Sequence, residues 1–355
     1  MGVYDIEYSV DPYKELLDNI QLAVDAADVL VGFNIKFDLH WLKRYGIDFS
    51  KKRVWDCQLV EFILRNQSAA YPSLNATAEY YDLGTKLDEV KENYWKNGID
   101  TNEVPKEILA DYLKRDVELT EQVMSKQMQE LSKRPELKRL VSLHNQDLLV
   151  LQEMEYNGLK YDYDKSTVLG DELDEQISKL NIKLKTFHSY DNFNPNSNDH
   201  LSVFLYGGVI KERFQCPVGH YKTGLRAGEV KYKWDERDKE FQRLINPLPN
   251  TELKKEGFFS TNEDTLRKLK PRTNAGKEIL QIILTRATMQ KRMSTYYHGL
   301  VNLIDEMKWK TDTIHGQLNQ CVAKTGRLSS SKPNLQNFDG EIKTLFTTRY
   351  GESNE

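Results

Sequence analysis

The chain has 355 residues, 39% of them hydrophobic and 29% charged, with a formal net charge of −4. That size suits two or three domains with an ample core, and the charge balance excludes a global basic field, so any nucleic-acid surface is a local patch. Cys57, Cys216 and Cys321 are far apart and odd in number, which argues against a disulfide framework and for reduced thiols.

The first predicted element is a helix from Pro12 to Ala27, with Leu16, Leu17, Ile20, Val24 and Ala27 on one face. Val29-Leu30-Val31-Gly32-Phe33 reads as a short buried strand, after which Asn34 opens a helix through Leu42. Val54-Trp55-Asp56 looks like another strand end followed by a helix through Leu64, and Ile108 to Leu131 is a long helix. This alternation predicts an α/β domain. From Leu137 long helices dominate: Leu140 to Tyr156, stopped by Asn157-Gly158, then Ser166 to Phe187, and Thr273 to Met307. Phe214 to Lys255 is rich in Gly, Pro, Lys and Tyr, alternates as strands do, and is expected to be an inserted hairpin-like subdomain. Within it Cys216 and His220 have ligand-like spacing, but no second pair completes a zinc site. No apolar run approaches membrane-spanning length and the N-terminus lacks a signal-peptide pattern, so a cytoplasmic protein with no membrane partner is expected.

Two short patterns carry candidate chemistry. Asn34-Ile35-Lys36-Phe37-Asp38 sets Asn34 and Asp38 four residues apart on one helix face, and Tyr112-Leu113-Lys114-Arg115-Asp116 does the same for a phenol and a carboxylate. A nuclease acting through two divalent metals needs carboxylates from separate elements converging on cations roughly 4 Å apart, and a tyrosine hydroxyl can orient the attacking water. Taken singly, each pattern also fits a solvated helix face.

A third pattern runs from Thr325 to Asn337: Thr-Gly-Arg-Leu-Ser-Ser-Ser-Lys-Pro-Asn-Leu-Gln-Asn. Arg327 offers a planar fork of donors, and Asn334, Gln336 and Asn337 each carry a donor and an acceptor. The minor groove shows similar acceptors at every base pair, so such side chains can grip a duplex without reading its sequence.

The Gly32–Asp38 segment resembles the second motif of the proofreading 3′–5′ exonucleases that use three Asp, one Glu and a Tyr. Tyr112 to Asp116, with Thr120 one turn on, resembles the third motif. The resemblance implies catalytic roles for Asp38, Tyr112 and Asp116, with Asp38 and Asp116 as ligands of Mg2+ (or Mn2+) and Asn34 contacting DNA. It gives Asp56 a supporting role at most. The first motif should be Asp-x-Glu, which Asp5-Ile6-Glu7 offers, but Asp5 lies only 33 residues before Asp38. Two strands and a helix between these motifs need roughly 35 to 40 residues. The favoured alignment therefore makes Val3 to Tyr8 the last strand before the first helix, with the true first motif upstream of Met1; Asp5 and Glu7 as ligands is the alternative.

The Thr325–Asn337 run resembles the segment leading into the palm of family A DNA polymerases, the bacterial DNA polymerase I group. Leu151 to Asp162 resembles the junction between the exonuclease and polymerase domains, and Phe193 to Ser197 and Phe259 to Glu263 resemble thumb segments. Lys291 to Tyr296 resembles the thumb helix along product duplex, which would bring Arg286, Lys291 and Arg292 to phosphates. Thr313 to Gly316 with Gln320 resembles the strand pair before the palm segment. Phe214 to Lys255, with Lys222, Arg226, Lys231, Lys233 and Arg237, departs from the bacterial pattern; a clamp-like DNA contact, a partner-docking module and a merely solvated insertion all stay open.

The resemblance implies an α/β, RNase H-like 3′–5′ exonuclease domain over residues 1–132, lacking its first strands, then a mainly α-helical thumb and the start of the palm over 133–355 with a small β insertion at about 214–255. The implied function is part of a phage-like DNA-directed DNA polymerase with proofreading. Its DNA contacts would be Asn34, Lys291, Arg292, Arg327, Asn334 and Gln336, and its partners primer–template DNA and single-stranded 3′ ends. The polymerase's own catalytic aspartates are expected beyond Glu355, in a separately encoded C-terminal half if the gene is split, and the compartment would be the host cytoplasm if the source is viral. A stand-alone exonuclease with a DNA-gripping appendage, and a non-catalytic DNA-binding subunit of a split polymerase, are the rival readings.

Overall fold

The computed structural model describes residues 13–85, 89–224 and 226–348, so Asp5 and Glu7 lie outside the described residues. The chain divides into two units, one made of Met1–Asp162 with Leu303–Glu355 and the other of Tyr163–Asn302. The sequence-based boundary at 132/133 falls inside the first unit, at the end of its longest helix.

In the first unit, helix α1 (Lys14–Ala26) packs through Leu17, Ile20 and Val24, whereas Leu16 is exposed. Strand β1 (Val29–Gly32) leads through helix α2 (Ile35–Arg44) to strand β2 (Arg53–Asp56), which pairs with β1 in parallel. Helix α3 (Cys57–Leu64) follows at once because Asp56 caps it, accepting from the backbone N–H groups of Gln58 and Leu59. Short helices α4 (Leu74–Tyr80) and α5 (Glu89–Asn93) precede α6 (Lys106–Lys133), whose buried stripe is Leu119, Val123, Gln127 and Leu131. Gln127 is buried without penalty: Trp55 Nε1 donates to its oxygen at 3.1 Å, and its nitrogen donates to Cys57 O at 2.8 Å and Glu61 Oε2 at 3.1 Å.

Helix α7 (Lys138–Asn157) ends where the Asn-Gly pair predicts. Gly158 has φ 65°, and a Cβ there would sit 2.8 Å from Ile314 O, so both backbone and space demand glycine. Strand β3 (Leu159–Tyr161) follows it.

The second unit begins with α8 (Tyr163–Lys185) and α9 (Asn198–Tyr206), then a long antiparallel pair, β4 (Gly208–His220) and β5 (Val230–Phe241). Helix α10 (Glu263–Lys268) is capped by Asn262, whose side chain accepts from Thr265 N–H, and α11 (Asn274–Arg292) by Thr273. A π turn, Met293–Tyr297, joins α11 to α12 (His298–Met307), so the predicted 273–307 stretch is helical throughout with one widened turn. The core of this unit gathers Phe193, Phe204 and Tyr206 with Ile279, Ile282 and Ile283.

The chain then returns to the first unit with β6 (Thr313–Ile314), β7 (Gln317–Asn319), β8 (Ser329–Ser331), α13 (Gly340–Lys343) and β9 (Phe346–Thr347). Strand β3 is the centre of an antiparallel sheet ordered β6-β3-β9, and β7 pairs with β8. Among the described residues no helix is long and apolar enough to cross a membrane.

Candidate nucleic-acid interface and carboxylate site

The predicted DNA-contact run is a turn built by its own side chains. Ser330, buried, donates its hydroxyl to Pro333 O at 3.1 Å and accepts from Leu335 N–H at 3.2 Å. Ser331 donates to Gln317 Oε1 at 3.2 Å and accepts from Asn319 Nδ2 at 3.1 Å. These hydroxyls hold the loop instead of facing outward, which spacing alone did not show. Asn334 accepts the Gln336 N–H at 3.1 Å, and Gln336 Nε2 donates to Leu328 O at 2.8 Å. The second bond closes the turn beside Arg327, so Arg327, Asn334 and Gln336 are exposed on one short closed loop. Gly326, at φ 74°, makes the bend that presents Arg327.

This loop is moored to the first unit by a buried carboxylate. Glu155 on α7 accepts from Lys36 Nζ at 2.6 Å, from the Leu318 N–H at 2.5 Å and meets His40 Nε2 at 2.9 Å. Lys36 Nζ also donates to Leu318 O at 2.6 Å, so β7 is gripped on both its donor and its acceptor. Burial alone would raise the Glu155 carboxyl; the His40 bond, the Lys36 charge and the Leu318 N–H outweigh it and hold it below the usual range. Lys43 adds an exposed pair with Glu153. Lys36, His40 and Lys43 recur at helical spacing, so one face of α2 is given to α7.

Asp38 lies two positions from Lys36 on that helix, and burial raises its carboxyl. Asn34 begins α2 in the left-handed conformation, φ 61°, and its N–H donates to Asp56 Oδ1 at 3.1 Å. Asp56 is therefore a hub: one oxygen receives N–H groups from the starts of both α2 and α3, while its own N–H donates to Asn145 Oδ1 at 2.8 Å. Burial pushes its carboxyl up to about 6 against the backbone N–H groups that it accepts. Tyr112 and Asp116 sit one turn apart on α6, with the Tyr112 ring edge-on to Trp95 at 5.7 Å and Thr120 Oγ1 donating to Asp116 O at 2.7 Å. Phe33, beside Asn34, packs on the cluster containing Leu119 and Val123 of α6, so the start of α2 and the Asp116 end of that stripe share one apolar footing. Among the described residues no group of three or more His, Cys, Asp or Glu is arranged to hold a metal ion. Asp38 and Asp116 alone do not make a two-ion site.

In the second unit, Lys291 is exposed and Arg292 half-buried at the last turn of α11 before the π turn. Arg286 is not on a phosphate-facing surface: it is 5% exposed and donates to Asn181 Oδ1 at 2.6 Å, Asn196 Oδ1 at 2.8 Å and Pro195 O at 3.3 Å. It pins the Phe193–Ser197 turn, and burial among neutral acceptors lowers its guanidinium from the usual value. The signal was in the sequence, since Arg286 continues the Ile279, Ile282, Ile283 stripe at helical spacing.

Residues 238–352 match the model of DNA polymerase family A. The chain is similar to DNA polymerase I of Synechocystis sp., 29% identical over 321 residues, covering 88% of this chain and 28% of that protein. It is 26% identical to DNA polymerase I of Bacillus subtilis, covering 94% of this chain and 32% of that protein, and 22% identical to the DNA polymerase of Bacillus phage SP01 over 91% of this chain and 36% of that one. The fold resembles the POL domain of Pol1 from M. smegmatis, solved in complex with DNA primer-template and dNTP, with a TM-score of 0.61 at 18% identity over 95% of this chain and 48% of that one. The family match and these relatives support a family A, DNA polymerase I-like assignment. The chain spans about a third of the length of the curated relatives it matches.

Proposed function

We propose that this chain serves DNA synthesis as a segment of a DNA-directed DNA polymerase, and that its Thr325–Asn337 loop grips primer–template duplex. The observation that carries this is the closed turn beside β8, which leaves Arg327, Asn334 and Gln336 exposed while the serines and Gln336 Nε2 hold its shape. Arg327 would take a phosphate or minor-groove acceptor, and Asn334 and Gln336 would add sequence-tolerant contacts. Within the second unit, Lys291 and Arg292 are read separately as phosphate contacts. The M. smegmatis neighbour is bound to primer-template, and the proposal extends that partner to this chain. The test is fluorescence anisotropy with a labelled primer–template duplex. Arg327→Ala should weaken binding about tenfold and reduce the salt slope by about one; unchanged affinity would overturn the proposal.

A second reading, proofreading 3′–5′ exonuclease action on single-stranded 3′ ends, is favoured by the shared footing of α2 and α6 under Phe33 and Leu119. Asp38 and Asp116 would be metal-facing carboxylates and Tyr112 a positioning phenol, in company with carboxylates from beyond the described residues. The RNase H-like character of this domain belongs to the same proposal. Trimming of a single-stranded oligonucleotide with Mg2+ or Mn2+, lost in Asp38→Ala and Asp116→Ala, is the expected result. Absence of trimming by the parent chain ends this reading without touching the first.

A further inference from the structure

The β4–β5 hairpin runs in register from Gly208↔Phe241 to His220↔Val230, with a bulge between Pro217 and Gly219. Its root is anchored. Ile210 and Phe241 pack on the core of the second unit, and buried Glu212 accepts from Arg237 Nε at 2.6 Å and Asn192 Nδ2 at 2.5 Å. Beyond Phe214 no core covers it, and its strand residues are half-buried or exposed.

Side chains alternate along a strand, so the face opposite Ile210 and Glu212 carries Gln215 and Pro217 with their cross-strand partners Trp234 and Tyr232. Trp234 is 62% exposed and Tyr232 53% exposed, large apolar rings that a solvated hairpin has no reason to present as neighbours. Two residues apart on one strand, the rings stand about 7 Å from each other. That is about twice the 3.4 Å rise of a duplex strand, the spacing of bases pulled out of their stack. Lys231 and Lys233 alternate with the rings in sequence and so stand on the opposite face of the same strand, and Lys222 and Arg226 lie in the connecting turn. From Phe214 to Trp234 the sequence holds those four cations and one anion, Glu229, with Asp235 and Glu236 immediately after. Arg226 is paired with Glu229 at 2.7 Å, while Lys222, Lys231 and Lys233 have no ion pair among the described residues.

We infer that the distal half of this hairpin binds single-stranded DNA, two successive bases stacking on Tyr232 and Trp234 while the local positive charge of Lys222, Lys231 and Lys233 attracts its phosphates. Duplex DNA hides its base faces and offers nothing to the rings; an extended strand offers both faces and charge. The choice of DNA over RNA rests on the polymerase reading. The hairpin site itself does not need Arg327.

The experiment uses the full chain and a fluorescein-labelled oligo(dT), read by anisotropy at low and moderate salt, with a primer–template duplex and oligo(U) as comparison arms. The Tyr232→Ala/Trp234→Ala double variant should lose at least about tenfold affinity for oligo(dT), Tyr232→Phe/Trp234→Phe should retain it, and Arg327→Ala should leave it unchanged. Since both rings are exposed, the double variant should melt as the parent does. Oligo(dT) affinity unchanged in the double variant, no oligo(dT) binding by a parent that binds duplex, or preference for oligo(U) would each overturn the inference. A parent that self-associates through these rings would overturn it too. Hairpin-dependent oligo(dT) binding, with duplex affinity indifferent to Arg327→Ala, would sustain this site and sink only the duplex-grip proposal.

Discussion

His40 Nε2 lies 2.9 Å from Glu155 Oε2, a contact between residues 115 positions apart that fixes helix α2 on helix α7. With Lys36 and the Leu318 N–H both on the other carboxylate oxygen, it also decides where β7 and its loop stand.

Glu155→Gln should therefore destabilise the first unit by about 2–4 kcal/mol, because Lys36 is left beside a neutral amide in a mostly buried site. The lowered Glu155 carboxyl contributes stability above its unfolded value of 4.5, lost as pH falls through the lower folded value. Urea titrations at pH 7 and pH 4 check this: the difference between parent and variant should shrink at the lower pH.

Asp56 predicts the opposite sign. Its carboxyl, ordinarily at 3.8, is pushed up to about 6 by burial, so the folded state holds the proton more tightly than the unfolded chain. Its contribution is present below about pH 4 and is lost as pH rises through 6. Asp56→Asn keeps an oxygen for the N–H groups of Asn34, Gln58 and Leu59 and removes the charge. Thermal melts should show the variant gaining up to about 3 kcal/mol over the parent at pH 8 and little at pH 4.

Arg286→Met leaves Asn181 and Asn196 without their donor in the core of the second unit, and a loss of about 2–4 kcal/mol is expected. Arg286→Lys should recover only part of it, since an ammonium cannot span three acceptors in a plane. If duplex affinity fell while stability held in Arg286→Met, the structural role assigned to this residue would be wrong.

Gly158→Ala combines a φ of 65° with a Cβ placed 2.8 Å from Ile314 O, a backbone atom that cannot swing away. A cost of about 2 kcal/mol or more is expected, read as a lower urea midpoint. An unchanged midpoint would show that β6 yields.

Local signals were legible in the sequence. The Asn-Gly stop ends α7 at Asn157, Asn34 opens α2, and the long 273–307 stretch is helical. What escaped was a matter of partners. Spacing finds neighbours one turn apart and is blind to a Lys36–Glu155 contact across 119 positions. A clue was present, since Val141, Asn145, Leu148, Gln152 and Glu155 form the buried stripe of α7, and polar residues on such a stripe must be satisfied from elsewhere. The thumb-helix resemblance sent Arg286 to phosphates, although its position lies on an apolar face. Ser330 and Ser331 teach the same lesson: composition shows that a hydroxyl exists, and only tertiary structure shows what it is bonded to.

The β6-β3-β9 sheet has a consequence for how the chain comes into being. Tyr161 waits for Phe346, and Leu159 for Ile314, before its strand has either neighbour. At synthesis rates of about 5–20 residues per second, the last of these partners follows by roughly 10–40 s. Within that interval the whole second unit emerges and becomes able to fold, while the first stands open at β3. The order of completion is thus the reverse of the order of translation: the unit that starts first finishes last, and it is the one in which a nascent chain is most exposed to chaperones and proteases.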